Sequence, residues 1–150
     1  MKPLLSINPY TNSIIKSFDQ FSEKKIDRII YGACKDQKIW EDTELNFKLA
    51  CFERLSEILA DSTKEYALLM AEEMGKPFKQ GIGEIEKCIW LCNYFIGNSK
   101  NYLKDKIVKT KGQKSYITLK PLGLILGVMP WNFPFWQVFR FSVPGIIAGN

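Results

Sequence analysis

The stretch "LILGVMPWNFPFWQVFR", Leu124 to Arg140, decides the fold. Its first six residues are apolar on both faces of a strand, the composition of a buried parallel strand rather than a half-exposed one. "MPWNFP" then turns the chain. Pro130 and Pro134 both restrict the backbone, and the residue before each is pushed toward extended geometry. Pro134 suits the first position of a helix, which the spacing predicts to run to about Ala148. Gly149 is placed to terminate it, and Pro144 should kink it. Strand, turn and helix in that order are where open α/β sheets bind ligands.

Working backwards, "SYITLK" alternates Ile117 and Leu119 with Tyr116, Thr118 and Lys120, a half-exposed strand. Lys100 to Gln113 is polar without steady period and is expected to connect. Four segments upstream carry helical periodicity. The first is capped by Ser22, with a staple between Phe21 and Ile26, and places Ile26, Ile29, Ile30 and Ala33 on one face. The second starts near Thr43 and spaces Leu45, Leu49, Phe52, Leu55 and Leu59. The third opens on a Ser62–Glu65 capping box and stops at Gly75 and Pro77. The fourth carries Ile82, Ile85, Ile89, Cys92 and Ile96. The N-terminal "SINPYTNSIIKSF" has the turn formers and β-branched pair of a short hairpin or strand. The expected class is therefore α/β: a helical cluster, an alternating strand, then one βα unit without the next parallel strand it needs.

Composition narrows the function. Lys and Arg outnumber Asp and Glu by 21 to 16, for a net charge of +5, but the excess is scattered. A nucleic-acid surface would gather it on one face. No signal peptide precedes the first element, and the cysteines form no secreted disulfide framework, so a cytoplasmic setting is expected. Leu122–Phe139 lacks any charge, yet Pro130 and Pro134 interrupt it and Asn132 and Gln137 lie within it, against a membrane span. With no His in the chain, Cys88 and Cys92 lack the further ligands a zinc site needs, and no metal is expected. Glu72, Glu73, Glu84 and Glu86 are expected to be solvated helix carboxylates. Gly81 and Gly83 are half a glycine fingerprint without a preceding strand, and are discounted.

Two residues in the decisive stretch can carry chemistry. Asn132, held between prolines, offers two N–H donors, as an oxyanion-stabilising group must. It could equally cap the helix or satisfy the turn. Arg140 is the only charge from Pro121 to the end of the chain, and its planar fork suits a substrate carboxylate. An intramolecular pair or a snorkelling stem is the alternative. Phe133, Trp136, Gln137 and Arg140 follow at spacings of three and four and should share one side of the helix.

"KPLGLILGVMPWNFPFWQVFRFSVPGIIAGN" resembles the aldehyde dehydrogenase superfamily, as do "INPYTNSII" and "AEEMGKPFKQGIGEIEKC". The wording "MPWNFPFWQVFR" is most similar to the bacterial succinate-semialdehyde dehydrogenase branch. The resemblance implies a truncated aldehyde-dehydrogenase fold in which residues 1–150 are an incomplete N-terminal part. Residues of about 115–121 would form an oligomerisation-arm strand, and 122–150 the first strand-turn-helix of the cofactor domain. It implies oxidation of an aldehyde, succinate semialdehyde in that branch, by NAD or NADP in a homo-oligomer. Asn132 would be the oxyanion donor, and Met129, Pro130 and Trp131 would pass beside the cofactor. Phe133, Trp136, Gln137 and Arg140 would bind substrate. The family's catalytic Cys, general-base Glu, cofactor-binding Lys and glycine-rich cofactor turn have no counterpart here. The chain alone is therefore expected to be inactive and to bind cofactor poorly. The alternative is a non-catalytic partner of a dehydrogenase subunit.

Overall fold

A computed structural model describes residues 2–150. The chain opens with an antiparallel hairpin of β1 (Leu4–Ile7) and β2 (Ile14–Phe18). Its turn is built by the Asn8 side chain, whose Oδ1 accepts from the Tyr10 and Thr11 amides, and by Asn12 at φ 58°. Asn tolerates that left-handed conformation where most side chains would be strained. Ser6 at the hairpin donates to Glu73 near the end of the third helix, at 2.6 Å.

Four helices follow: α1 (Glu23–Asp42), α2 (Leu45–Asp61), α3 (Thr63–Met74) and α4 (Phe78–Leu103). Ser22 caps α1 as expected, accepting from the Lys25 amide. Gly75 closes α3 at φ 71°, with its N–H returned to the last turn. The capping box at Ser62 does not form. Ser62 sits at φ −104°, ψ 13° between two nearly continuous helices, so its backbone lacks the extended geometry a capping side chain requires. Thr63 instead donates back to the Leu59 carbonyl.

The polar run from Lys100 to Gln113 is not simply a connection. Helix α4 continues to Leu103, and β3 (Lys106–Ile107) pairs antiparallel with β4 (Tyr116–Ile117). The strand expected over residues 115–120 is therefore only two residues long. Helix α5 (Pro134–Ile147) begins at Pro134 and contains Pro144, and Gly149 follows at φ 98°.

The core lies between α2, α3, α4 and α5. Leu49, Phe52, Leu91, Cys92, Val143 and Ile147 form one buried cluster, and Leu59, Met70, Ile85 and Cys88 a second. Trp136 and Phe139 of α5 pack against both, which locks that helix onto the bundle. The end of α5 is tied to α1: Trp40 Nε1 donates to the Ile146 carbonyl at 2.8 Å, and Gln37 to that of Gly149 at 2.9 Å. Asn150 accepts from the Leu122 amide at 2.7 Å and donates to the Gly145 carbonyl, drawing residues 122–128 toward the end of α5.

"LILGVM" departs from expectation. Among the described residues Leu124–Met129 forms no ladder, because no strand lies beside it. Ile125 and Met129 are half-buried, while Leu126 and Val128 are 89% and 87% exposed. The apolar face of α1 is likewise open at Ile26, Ile29 and Ile30. In total the chain exposes 11260 Å². A compact monomer of 17.3 kDa would expose about 7,800 Å². Large apolar side chains that the sequence pattern marks for burial, Ile26, Ile29 and Ile30 among them, contribute to that surface.

Candidate functional site

The site is the turn between Met129 and Pro134 with the first two turns of α5. Helix α5 lacks a cap of its own: Phe133 occupies the N-cap position and supplies no acceptor. Pro134 has no N–H to satisfy, but the amides of Phe135 and Trp136 do. Both donate to Oε1 of Glu84, at 2.9 Å each. Glu84 lies on α4 and is 5% exposed. Its other oxygen pairs with Lys76, 7% exposed, from the segment between α3 and α4. Lys76 Nζ also donates to the Asn132 carbonyl at 3.3 Å and stands 4.0 Å from the centre of the Phe133 ring. The turn is thus held from outside by a buried ion pair.

This corrects the expectation for Glu84, which is neither solvated nor idle. Its partners lie 8, 51 and 52 residues away, beyond the reach of helical periodicity. The usable sequence signal was indirect: a helix starting at Pro134 with an aromatic N-cap must find an acceptor elsewhere.

The Asn132 side chain does not cap α5, and no hydrogen bond to its amide is found among the described residues. Its backbone is anchored while its side chain stays exposed and available. Phe133, Trp136 and Gln137 are brought together, as their spacing required. With Gln80, Gly83, Glu84 and Lys87 of α4 they line a cavity of about 540 Å³. Lys87 Nζ stands 3.9 Å from the centre of the Trp136 ring, placing a cation there that the sequence reading missed.

Arg140 does not join that cavity. It lines a second depression, of about 680 Å³, with Met129, Pro130 and Gln137, and Gln137 alone is common to both. No carboxylate pairs with Arg140 among the described residues, so the intramolecular-pair alternative is not what the structure contains. Trp131 is 77% exposed and lines neither hollow. Nothing in the depression resembles the glycine-rich helix N-terminus that cradles a pyrophosphate.

The four cysteines lie elsewhere. Burial pushes the thiols of Cys88 and Cys92 up to about 12 and about 11. Cys34 and Cys51 are exposed, and no cysteine lines either hollow beside the turn. Among the described residues, no group of three or more His, Cys, Asp or Glu side chains could hold a metal ion. No helix there is long and apolar enough to cross a membrane.

Comparison with known proteins places the chain in a family. The model of the aldehyde dehydrogenase family matches residues 2–150. The probable succinate-semialdehyde dehydrogenase of Synechocystis sp., named for NADP(+), is 36% identical over 98% of this chain and 32% of its own length. The succinate semialdehyde dehydrogenase Sad of Escherichia coli, named for NAD(P)+, is 32% identical over 97% of this chain and 32% of its own. The crystal structure of succinic semialdehyde dehydrogenase from Streptococcus pyogenes in complex with NADP+ superposes with a TM-score of 0.92 at 29% identity. It covers 97% of this chain and 32% of that one. The chain thus spans about a third of the length of the curated relatives it matches.

Proposed function

Because the chain belongs to the aldehyde dehydrogenase family, we propose that it supplies the oxyanion donor and substrate wall for NAD(P)-dependent oxidation of an aldehyde that also bears a carboxylate, succinate semialdehyde. The observation that carries the reading is the Asn132 turn. The Lys76–Glu84 pair fixes its backbone and its side-chain amide is uncommitted; Asn132 itself lines neither hollow, but its neighbours Met129, Pro130 and Phe133 do, and Trp136, Gln137 and Arg140 complete their walls. The names of the similar proteins support the substrate.

In this reading Asn132 Nδ2 donates to the carbonyl oxygen as a thiolate adds and charge moves onto that oxygen. A donor held ready in advance needs no reorganisation when the charge arrives. Phe133 and Trp136 exclude water, and Gln137 offers its amide between the two hollows. The Arg140 guanidinium receives the distal carboxylate. Met129, Pro130 and Trp131 pass beside the cofactor, which accepts hydride when bound. The nucleophile is neither of the exposed cysteines, Cys34 and Cys51, which line no hollow beside the turn, nor either of the buried pair, Cys88 and Cys92. At neutral pH the buried pair is overwhelmingly thiol, and only thiolate attacks. In this reading residues 1–150 need a nucleophile and a general base supplied from outside them.

The test is a chimera in which residues 1–150 replace the matching third of a succinate-semialdehyde dehydrogenase. Asn132→Ala should lower kcat by roughly 10²–10³ while the chimera stays folded. An unchanged kcat would remove Asn132 from the chemistry. NAD(P)H formation from succinate semialdehyde by the purified chain alone would refute the assignment of the nucleophile. The exposed row of Leu122, Leu124, Leu126 and Val128 favours a second reading, a non-catalytic chain that pairs with a dehydrogenase subunit. Co-purification with an intact subunit, and no activity from the chimera, would select it.

A further inference from the structure

We propose that Lys76 and Glu84 are positioning residues for the Asn132 turn: Glu84 provides, from another helix, the cap that α5 cannot make for itself, and Lys76 couples that cap to the Asn132 backbone. The catalytic consequence rests on reading Asn132 as the oxyanion donor, whereas the positioning itself does not.

A helix start leaves its first N–H groups without intrahelical partners. In α5 the accounting closes. Pro134 has no N–H, Phe135 and Trp136 donate to Glu84 Oε1, and the Gln137 amide donates to the Phe133 carbonyl at 3.0 Å. A carboxylate at this end also meets the favourable pole of the helix dipole. Alone, a carboxylate this buried would be costly. Lys76 offsets its charge and spends a further N–H on the carbonyl of Asn132. Its approach to the Phe133 ring fixes the residue on the other side of that carbonyl. The prolines restrict the turn from within, and the pair restricts it from without. What remains free to meet a ligand is the Asn132 side chain.

The test is residue-resolved hydrogen exchange by NMR on the 150-residue chain. In the unmutated protein the Phe135 and Trp136 amides should be protected at least about tenfold more than those of Asn46 and Phe47. The latter occupy the same helical positions in α2, where no side chain caps. Bonds to a charged acceptor readily supply that factor. Glu84→Gln keeps an acceptor oxygen but loses the charge. It should cut protection at Phe135 and Trp136 about tenfold or more while Leu91 and Cys92, on the same helix as Glu84, keep theirs. Lys76→Met should do the same and also move the side-chain amide resonances of Asn132, and Lys76→Arg should restore both. Asn132→Ala should leave the protection intact, because only its backbone carbonyl takes part, so failure of the oxyanion role leaves this result standing. Equal exchange of the four amides in the unmutated chain would overturn the proposal, even if both variants fail to fold. So would losses in the variants spread evenly over α2 to α4.

Discussion

Gly81 and Gly83 sit two residues apart on α4, and substituting each should give opposite results. A Cβ at Gly81 would lie 3.0 Å from Ala67 Cα, 3.1 Å from its Cβ and 3.3 Å from its carbonyl oxygen. Those contacts are mostly backbone and cannot swing aside. They mark the line along which α3 and α4 touch, beside buried Ala67, Met70 and Ile85. A Cβ at Gly83 or Gly97 meets nothing within 4 Å. Replacing Gly by Ala inside a helix gains about 1 kcal/mol of propensity. Gly83→Ala and Gly97→Ala should realise most of that. At Gly81 the gain is set against overpacking, typically about 1–3 kcal/mol. Gly81→Ala should therefore lose about 1 kcal/mol net, and Gly81→Val, with two more methyls and poorer propensity, about 3 kcal/mol. Urea unfolding of the four variants beside the parent chain measures this directly. Since Glu84 is one turn further along, Gly81→Val should also loosen the Phe135 and Trp136 amides. If Gly81→Ala stabilises as much as Gly83→Ala, the close crossing of α3 and α4 is wrong.

In the chimera, Arg140→Ala should reduce kcat/KM for succinate semialdehyde far more than for an uncharged aldehyde of similar length. The loss of a charged bond to a desolvated carboxylate is about 2–5 kcal/mol, and an equal effect on both substrates would make Arg140 structural. Alkylation at pH 8 should label Cys34 and Cys51 and spare Cys88 and Cys92 until the chain unfolds; prompt labelling of all four would contradict their burial. The buried thiols stand above their ordinary value of 9.0 because burial favours the neutral form, so their contribution to stability is intact below pH 9. It should fall as pH rises toward 11–12, as alkaline unfolding midpoints would show. Leu126→Thr with Val128→Thr should raise solubility without lowering the unfolding midpoint, since both side chains face solvent; a lower midpoint would mean that they are packed.

The helices were legible where burial and periodicity coincide. Leu49, Phe52 and Leu59 recur at helical spacing and are buried as that spacing requires. Gly75 ends α3 because a left-handed residue is needed there. Legibility failed where a residue's partner is remote or missing. Ser62 has the chemistry of a cap but not the backbone, because α2 runs almost directly into α3. Leu124–Met129 has strand composition, yet a ladder requires a neighbour that residues 2–150 do not provide. Gly81 reads in the sequence as half of a glycine fingerprint, whereas its lack of a side chain serves a helix crossing. In the turn itself the sequence marked Asn132 and the wall residues after it, but not the cation over Trp136 or the pair beneath. Helical periodicity shows which face of α4 is buried, not which carboxylate on it will meet another helix.

The cap that Glu84 lends to α5 also sets an order of events along the folding route. Hairpin β1–β2 and the α3–α4 pair close contacts over short stretches of chain, whereas the cap spans 51 residues. Loop closure over that distance costs chain entropy before any bond returns it. The turn cannot acquire its final shape until α4 is complete and α5 has docked. As a nascent chain leaves the ribosome, the Asn132 turn is therefore ordered only after the α3–α4 pair, although every residue that shapes it except Lys76 and Glu84 lies within a few positions of Asn132.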